Sequence, residues 1–147
     1  WWTRALTISN GKIRLLTKQA AWTQIQGWRQ VYARALHERT GGWVLGDHEW
    51  HVMSYEYAVY VSGTIAVAHY LELSLETSYL AYLEHCSVPM CEITHGTLPS
   101  LQTLYEISAP NSETPDIYLF PPDYAWTFVM THEPSNGPFF SRREWQK

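Results

Sequence analysis

The stretch DIYLFPPDYAWTFVMTHEPSNGPFF, residues 116–140, contains three apolar runs that are separated by two turn signals. The runs IYLF and WTFVM are rich in aromatic and β-branched residues, which is typical of strands. Pro-Pro-Asp lies between these runs, and Pro-Ser-Asn-Gly leads into a last run that includes Phe139. Because strands that are joined by short turns run antiparallel, this stretch predicts an antiparallel meander near the end of the chain.

Side-chain alternation along the middle run predicts which residues share a face of the sheet. One face carries Trp126, Phe128 and Met130, and the other carries Thr127, Val129 and Thr131. If the strand continues, His132 extends the face of Trp126 and Glu133 points to the opposite side. We therefore expect these two ionisable side chains to be separate groups at a strand end rather than one local dyad.

Three segments upstream of the meander carry the spacing of helices. Apolar residues recur three or four apart between residues 17 and 38, Thr17 is a suitable N-cap, and Gly41-Gly42 ends the pattern. Gly27 inside this helix marks a close approach of another element. Ser62 is a candidate N-cap for GTIAVAHYLEL, and Pro99 lies near the start of a third helix in LPSLQTLYEIS.

Further strands are expected over residues 50–57, in SYLAYLEHC and in MCEITHG. Asn10-Gly11 in TISNGKIR is a type I′ hairpin signal, so residues 1–15 form a loosely attached N-terminal hairpin. The whole predicts an α+β fold with an antiparallel sheet of about five strands and two or three helices packed on one face. With 147 residues, we expect one domain over residues 1–147.

The composition indicates a folded, non-membrane protein. Hydrophobic residues make up 46% of the chain and charged residues 16%, which argues against disorder. There is no apolar run of about 18 residues, and the first residues lack an apolar stretch of signal-peptide length. Two cysteines are too few for a disulfide scaffold, so we expect free thiols and a cytoplasmic location.

The net charge of −4 conceals a strong asymmetry. Residues 1–40 carry seven basic residues and one acid, whereas residues 41–141 carry twelve acids and no Lys or Arg. One interpretation is internal, with a basic helix that pairs with an acidic sheet. The other is a negative surface for a cationic partner, such as a basic protein. Nucleic-acid binding by the acidic part is disfavoured, because phosphate contacts need Lys or Arg.

The segment HCSVPMCEITH holds four side chains that can bind zinc, at His85, Cys86, Cys91 and His95. Structural zinc sites usually place paired cysteines two to four residues apart on a tight turn, with histidines further along. Here four residues separate the cysteines, one histidine adjoins a cysteine, and no glycine makes the turn. Two thiols acting as small hydrophobic groups fit this pattern better than a metal site, and we expect no cofactor.

A second polar segment, GDHEWH, contains Asp47, His48, Glu49 and His51. If this segment is extended, all of these except His48 share one face, where they could hold a metal ion or a general base. A polar loop that leads into a strand explains the same residues. His132 and Glu133 could also meet His51, Glu56 or Asp123 from neighbouring strands and form a His/Glu cluster.

Two segments resemble a family of small, uncharacterised bacterial proteins. That family has a Trp-His-x-Phe-Ser-Tyr/Phe-Glu strand, then Asp-x-Tyr-x-Phe-Pro, Trp-Thr-x-x-x-Thr-His-Glu and a Gly-Pro-Tyr/Phe-Phe ending. The matching positions are Trp50, His51, Ser54, Glu56, Asp116, Tyr118, Trp126, Thr127, Thr131, His132, Glu133, Gly137, Pro138 and Phe140. This chain departs from the pattern at Met53 and Phe139. The family is similar to immunity proteins that are encoded beside bacterial toxins.

The resemblance and the acidic composition together predict a non-enzymatic, immunity-type inhibitor that neutralises a cationic toxin. Carboxylates would steer the partner, and aromatic side chains would supply the binding energy. The expected binding residues are Asp47, Glu49, Trp50, Asp116, Tyr118, Asp123 and Trp126. The alternative is a small metal-dependent or acid/base hydrolase. Its expected catalytic residues are His51, Glu56, His132 and Glu133.

Overall fold

The computed structural model describes residues 11–73, 76–86, 89–107, 116–133 and 135–146. The strands of this part are β1 (Lys12–Leu15), β2 (Val61–Ser62), β3 (Glu76–Leu83), β4 (Met90–Thr97), β5 (Ile117–Phe120), β6 (Trp126–Met130) and β7 (Phe139–Arg142). They form one sheet in the order β1-β4-β3-β5-β6-β7-β2, and every neighbouring pair is antiparallel. The fold is therefore α+β with a seven-stranded antiparallel sheet.

Apart from α3, the helices lie in the segments that were predicted as helical. They are α1 (Lys18–Tyr32), α2 (Arg34–Thr40), α3 (His51–Ser54), α4 (Gly63–Leu71) and α5 (Leu101–Ile107), followed by a 3-10 turn at Arg143–Trp145. Thr17 caps α1 through a bond from the Ala20 N–H to its Oγ1 at 3.1 Å. The predicted helix over 17–38 divides at Ala33, and Gly41 ends α2 with a φ of 78° that glycine adopts without strain. No helix in these ranges is long and apolar enough to cross a membrane.

The predicted meander is confirmed as β5, β6 and β7. Tyr118 pairs with Val129, and Phe128 pairs with Phe140, so consecutive strands are hydrogen-bonded neighbours. The predicted alternation in β6 is also correct, because Phe128 and Val129 belong to hydrophobic clusters on opposite faces of the sheet. Two other predicted strands are β3 and β4, and the second and third predicted helices are α4 and α5.

Two features of the predicted sheet are wrong. The sheet has seven strands rather than about five, because β1 and the short β2 pair with its outer strands. Helices cover both faces rather than one: α1, α2 and α3 pack on one face, and α4 and α5 on the other. The reason lies in β5 and β6, where every side chain is buried. A strand that is apolar on both sides needs cover on both sides.

The predicted strand over residues 50–57 is also wrong. The chain forms the short helix α3 there, followed by turns. Val52 and Met53 are adjacent and both fully buried, which a half-exposed strand does not allow. The Trp50 backbone N–H donates to the Tyr118 hydroxyl, and the Trp50 indole Nε1 donates to Asp116, at 3.0 Å each. The aromatic residues of this segment therefore anchor a loop on the sheet.

The remaining N-terminal prediction is described only in part. β1 corresponds to the second strand of the predicted hairpin over residues 1–15, and it pairs with β4. Its first strand lies outside the described residues, as do Pro134 and the predicted loop at 109–115. Ser62 lies at the N-cap position of α4, but its side chain makes no capping hydrogen bond there.

Gly27 marks a close approach, as predicted, so Gly27→Ala should destabilise the protein. A Cβ atom at position 27 would lie 2.0 Å from the hydroxyl oxygen of Tyr124. That hydroxyl donates to Gln24 at 2.8 Å, and the Tyr124 ring stacks on Phe120. Alanine gains up to ~1 kcal/mol of helix propensity, but displacing Tyr124 should cost more, with a net loss of about 1–3 kcal/mol in urea unfolding.

Gly42→Ala is the matched control for this variant. A Cβ atom at position 42 meets only Thr40 Oγ1, at an ordinary 3.6 Å. We expect its unfolding free energy to stay within about 0.5 kcal/mol of the unsubstituted protein. If Gly27→Ala unfolds at the same urea concentration as Gly42→Ala, the packing of Tyr124 on α1 is not tight.

Candidate functional site

A buried carboxylate, Asp116, organises the polar centre of the molecule. It directly precedes β5 and is only 3% exposed. Its Oδ1 accepts from the His132 backbone N–H at 2.7 Å and lies 2.8 Å from His132 Nδ1. Its Oδ2 accepts from the indole Nε1 of Trp50 at 3.0 Å and lies 3.1 Å from His48 Nδ1. Both carboxylate oxygens are thus occupied, which fixes the orientation of the group.

A second buried carboxylate, Glu84, lies beside Asp116 because of the strand register. Leu83 of β3 pairs with Ile117 of β5, so the residues just outside this pair are also neighbours. The Glu84 N–H donates to the Asp116 carbonyl at 3.1 Å. No local sequence motif contains this pair, since 32 positions separate its members along the chain. The antiparallel pairing of the strands brings the two carboxylates together.

The surroundings of Glu84 raise the pKa of its side chain. Oε2 accepts from the Glu49 N–H at 2.9 Å, Oε1 accepts from the Tyr118 hydroxyl at 2.8 Å, and His48 Nδ1 lies 3.3 Å from Oε1. Burial raises the pKa of Glu84 to about 7, although both donated hydrogen bonds oppose this. Glu84 is therefore a carboxyl group that exchanges its proton near neutral pH.

His48 joins the two carboxylates to a group of histidines. Its ring centroid lies 5.3 Å from that of His51, 5.5 Å from His85 and 5.2 Å from His132. The His48 side chain is 22% exposed and that of His132 is 35% exposed, so the group reaches solvent. We call this group the His48 cluster. It consists of His48, His51, Glu84, His85, Asp116 and His132.

An ion pair between Arg29 and Glu49 lies next to the cluster. Among the described residues, no Lys or Arg forms an ion pair with the cluster itself, and Arg29 is the only one that pairs with Glu49. Arg29 on α1 donates from Nε to the Glu49 carboxylate at 3.0 and 3.2 Å, and both side chains are largely buried. Burial raises the pKa of Glu49, and the hydrogen bond and positive charge of Arg29 lower it. Since this guanidinium is bound to Glu49, the described ion pairs of Glu84 and Asp116 involve histidine and no Lys or Arg.

The structure brings together most of the predicted catalytic residues and corrects the geometry of one pair. His51 and His132 belong to the cluster, and His132 Nε2 lies 3.7 Å from Glu133 Oε1. The expectation that His132 and Glu133 point to opposite sides is wrong, because β6 ends at Met130 and the chain then turns. His132 lies near Trp50, on the other face from Trp126. Glu56 is exposed, and none of the described hydrogen bonds or ion pairs joins it to the cluster.

Most of the predicted binding residues are internal. Asp47 and Asp123 are exposed, as the prediction requires. The others are between 1% and 7% exposed and therefore offer almost no contact area: Glu49, Trp50, Asp116, Tyr118 and Trp126. Their aromatic and carboxylate groups bind one another and the chain around them, as described above. The acidic and aromatic residues of these motifs thus form a buried network, and a docking surface must use their exposed neighbours.

The four residues considered as zinc ligands, and judged a poorer fit than free thiols, are not brought together. His85 lies in the His48 cluster, with its Nε2 2.8 Å from the Asp47 carbonyl. Cys91 is buried in the hydrophobic cluster on the opposite face of the sheet, and burial raises the pKa of its thiol to about 12. Cys86 packs against that same cluster, and His95 is exposed. Among the described residues, the groups of side chains that are spaced for a metal ion contain no cysteine.

Sequence reasoning gave His48 no special role and did not single out Glu84. His48 was visible in GDHEWH, but an extended segment would place it opposite Asp47 and Glu49. Glu84 directly follows the apolar run YLAYL. An acid at the end of a buried strand indicates that a polar or charged partner lies beside it. Its partner could be found only from the register of β3 against β5.

Searches against family models, curated proteins and solved structures returned no match to this chain. The geometry of the His48 cluster and the charge pattern of the chain are therefore the basis for a functional proposal.

Proposed function

We propose that this protein is a non-enzymatic binding protein, of the immunity type, that docks a cationic protein partner. The proposed docking face is the solvent side of the His48 cluster and its neighbours. It comprises Asp47, His51, Tyr55, His132 and Glu133. The observation that carries the proposal is that acidic groups and exposed rings share one surface, above two buried carboxylates, Glu84 and Asp116, whose described ion pairs include no Lys or Arg.

The rings of this face are contiguous. Tyr55 is 65% exposed, and its ring lies 5.6 Å from His51. His51 lies 5.3 Å from His48, which lies 5.2 Å from His132. Tyrosine is enriched among residues that dominate binding energy, because its ring offers a large contact area with little loss of side-chain entropy. Tyr55 is therefore the proposed anchor of the interface.

The charges of the described residues support an anionic face. Part of the basic segment is paired internally, as one interpretation of the sequence expected, through Arg14 with Glu92 and Arg29 with Glu49. Among the described residues, no ion pair joins a Lys or Arg to Asp47 or Glu133. These exposed carboxylates would attract a basic partner and speed its association, most strongly at low salt. The resemblance to a family of small bacterial proteins that is similar to immunity proteins supports the same class of partner.

Charge reversal on the docking face should weaken binding to a basic partner. The purified chain is titrated against a panel of purified basic nuclease toxin domains by calorimetry at low and at high salt. For the domain that binds, Asp47→Lys with Glu133→Lys should raise Kd at least ~10-fold, since like charges then oppose each other across the interface. The matched control is Glu72→Lys with Glu106→Lys, which reverses two exposed acids on the helices of the opposite face.

The control pair should leave Kd within about 3-fold, because rim charges far from an interface act only through screened, long-range forces. Tyr55→Ala should weaken binding as strongly as the charge reversal. Absence of binding to every basic domain at either salt concentration would count against the proposal. So would equal weakening by the test pair and the control pair.

One observation favours an acid/base hydrolase as a second candidate. Asp116 is buried and bonded to the Nδ1 side of His132, which leaves Nε2 on the half-exposed side of the ring. This is how a carboxylate orients a histidine that acts as a general base. Hydrolysis of ester or phosphoester substrates that is lost in His132→Gln would favour this candidate over the binding protein.

A further inference from the structure

Three side chains of the His48 cluster are spaced like the ligands of a single metal ion. One nitrogen of His48, one nitrogen of His132 and one oxygen of Asp116 all lie within 4.8 Å of one another. The closest atoms are His132 Nδ1 and Asp116 Oδ1 at 2.8 Å, and His48 Nδ1 and Asp116 Oδ2 at 3.1 Å. A further carboxylate oxygen, Glu84 Oε1, lies 3.3 Å from His48 Nδ1.

These separations are close to the edges of a coordination tetrahedron. Zinc binds imidazole nitrogen and carboxylate oxygen at roughly 2.0–2.2 Å, which separates neighbouring ligand atoms of a tetrahedral site by about 3.4 Å. The histidine contacts of Asp116, 2.8 Å at Oδ1 and 3.1 Å at Oδ2, involve different carboxylate oxygens and are shorter than this separation, as expected for groups that share hydrogen bonds. Small rotations of the half-exposed rings of His48 and His132 would open the space for an ion.

The charge of the site also favours a dication. Glu84 and Asp116 are 4% and 3% exposed, and Arg29, which lies close by, is paired with Glu49. Two neighbouring buried carboxylates are costly when the donors around them are neutral, unless a positive charge joins them. A divalent ion would supply that charge, and it would lower the cost of both groups at once.

We propose that His48, Asp116 and His132 bind one divalent transition-metal ion of the zinc class, with the Glu84 carboxylate beside His48 as a neighbouring negative charge. Two imidazole nitrogens select zinc, nickel or cobalt over magnesium and calcium, which prefer oxygen ligands alone. Each imidazole binds through Nδ1 and carries its proton on Nε2. For His132, Glu133 Oε1 lies 3.7 Å from that Nε2 and would accept its proton in a hydrogen bond.

The residues around the three ligands are already placed to hold them. The Trp50 indole and the His132 backbone N–H each donate to Asp116, so the carboxylate keeps its orientation when the ion replaces the histidine contacts. Tyr118 does the same for Glu84. Such outer hydrogen bonds orient metal ligands and raise affinity in known metal sites. The proposed site is independent of the proposed docking function, since it needs no protein partner.

The test titrates the whole chain, freed of metal by chelator, with zinc chloride in a calorimeter and with cobalt chloride in a spectrophotometer. We expect one zinc ion per chain and, with cobalt, the intense visible absorption of a tetrahedral or five-coordinate site. His48→Ala and His132→Ala should each weaken zinc binding at least ~100-fold, and circular dichroism should show that both variants fold. The matched control is His95→Ala, since His95 is an exposed histidine outside the cluster.

The same titrations contain the results that would overturn the proposal. Zinc binding that survives in both His48→Ala and His132→Ala would do so, as would equal loss in His95→Ala. A second arrangement, of His48 with Glu84 and His85, meets the same 4.8 Å spacing. Loss of binding in His85→Ala but not in His132→Ala would replace the proposed site with that one. If a variant does not fold, the cobalt spectrum of the unsubstituted chain decides: an octahedral spectrum, or no binding, rejects the site.

Discussion

Replacing Trp28 by alanine is expected to lower the free energy of unfolding by about 3–5 kcal/mol. Trp28 is 2% exposed and lies at the centre of the interface between α1 and the sheet. Its ring packs edge-on against Tyr118 at 5.7 Å and lies 5.2 Å from the ring of Tyr32. Its indole Nε1 donates to Thr127 Oγ1 at 3.0 Å, across 99 positions of sequence. Alanine leaves a cavity and a fully buried hydroxyl without this donor.

Trp22→Ala provides the matched control, because it removes the same side chain from the same helix. Trp22 is 51% exposed, and its main contact is the guanidinium of Arg29, 4.8 Å from the ring centroid. We expect a loss of about 1 kcal/mol or less, since little area and one cation–π contact are involved. Equilibrium unfolding in urea measures both variants. Equal losses would contradict the assignment of Trp28 as the residue that docks α1.

Asp116→Ala should destabilise the protein by about 3–5 kcal/mol in the absence of added metal. The substitution removes the acceptor of two buried or half-buried donors, the Trp50 indole and the His132 N–H. An unsatisfied buried donor costs about 1–3 kcal/mol, and loss of the contacts to His48 and His132 adds to this. Thermal unfolding followed by circular dichroism measures the loss, with a chelator present so that any bound ion does not contribute.

The control for this variant is Asp123→Ala. Asp123 is an aspartate at the other end of β5, but it is exposed, and its Oδ1 accepts one hydrogen bond from the Ala125 N–H at 3.1 Å. We expect a loss of about 1 kcal/mol or less, because water replaces that acceptor. If the two alanine variants unfold at the same temperature, Asp116 does not organise the His48 cluster. That result would also weaken the proposed metal site.

The two turn signals around WTFVM were sufficient to predict the meander, because short connections leave antiparallel pairing as the only arrangement of neighbouring strands. The N-cap at Thr17 and the helix end at Gly41 could be predicted for a similar reason, since each residue acts on the backbone of the helix end next to it. The predicted strand over 50–57 was wrong because the apolar residues Trp50 and Met53 fit a buried strand and a buried helix alike, so their pattern does not distinguish the two. Their choice of a short helix depends on Asp116 and Tyr118, which lie more than 60 positions away.

Some features of the candidate site could likewise be predicted from the sequence, and others depend on the tertiary structure. The sequence by itself determined the α+β class, the order of strands in the meander, the polar segments that carry His48 and His132, and the concentration of acids without Lys or Arg. Only the tertiary structure decided that Glu84 lies beside Asp116, that His48 lies between them, and that His132 turns toward Glu133. Local propensities act over a few residues, whereas a site built from three strand ends and a loop depends on register. Register is set by the packing of the whole sheet against the helices on its two faces.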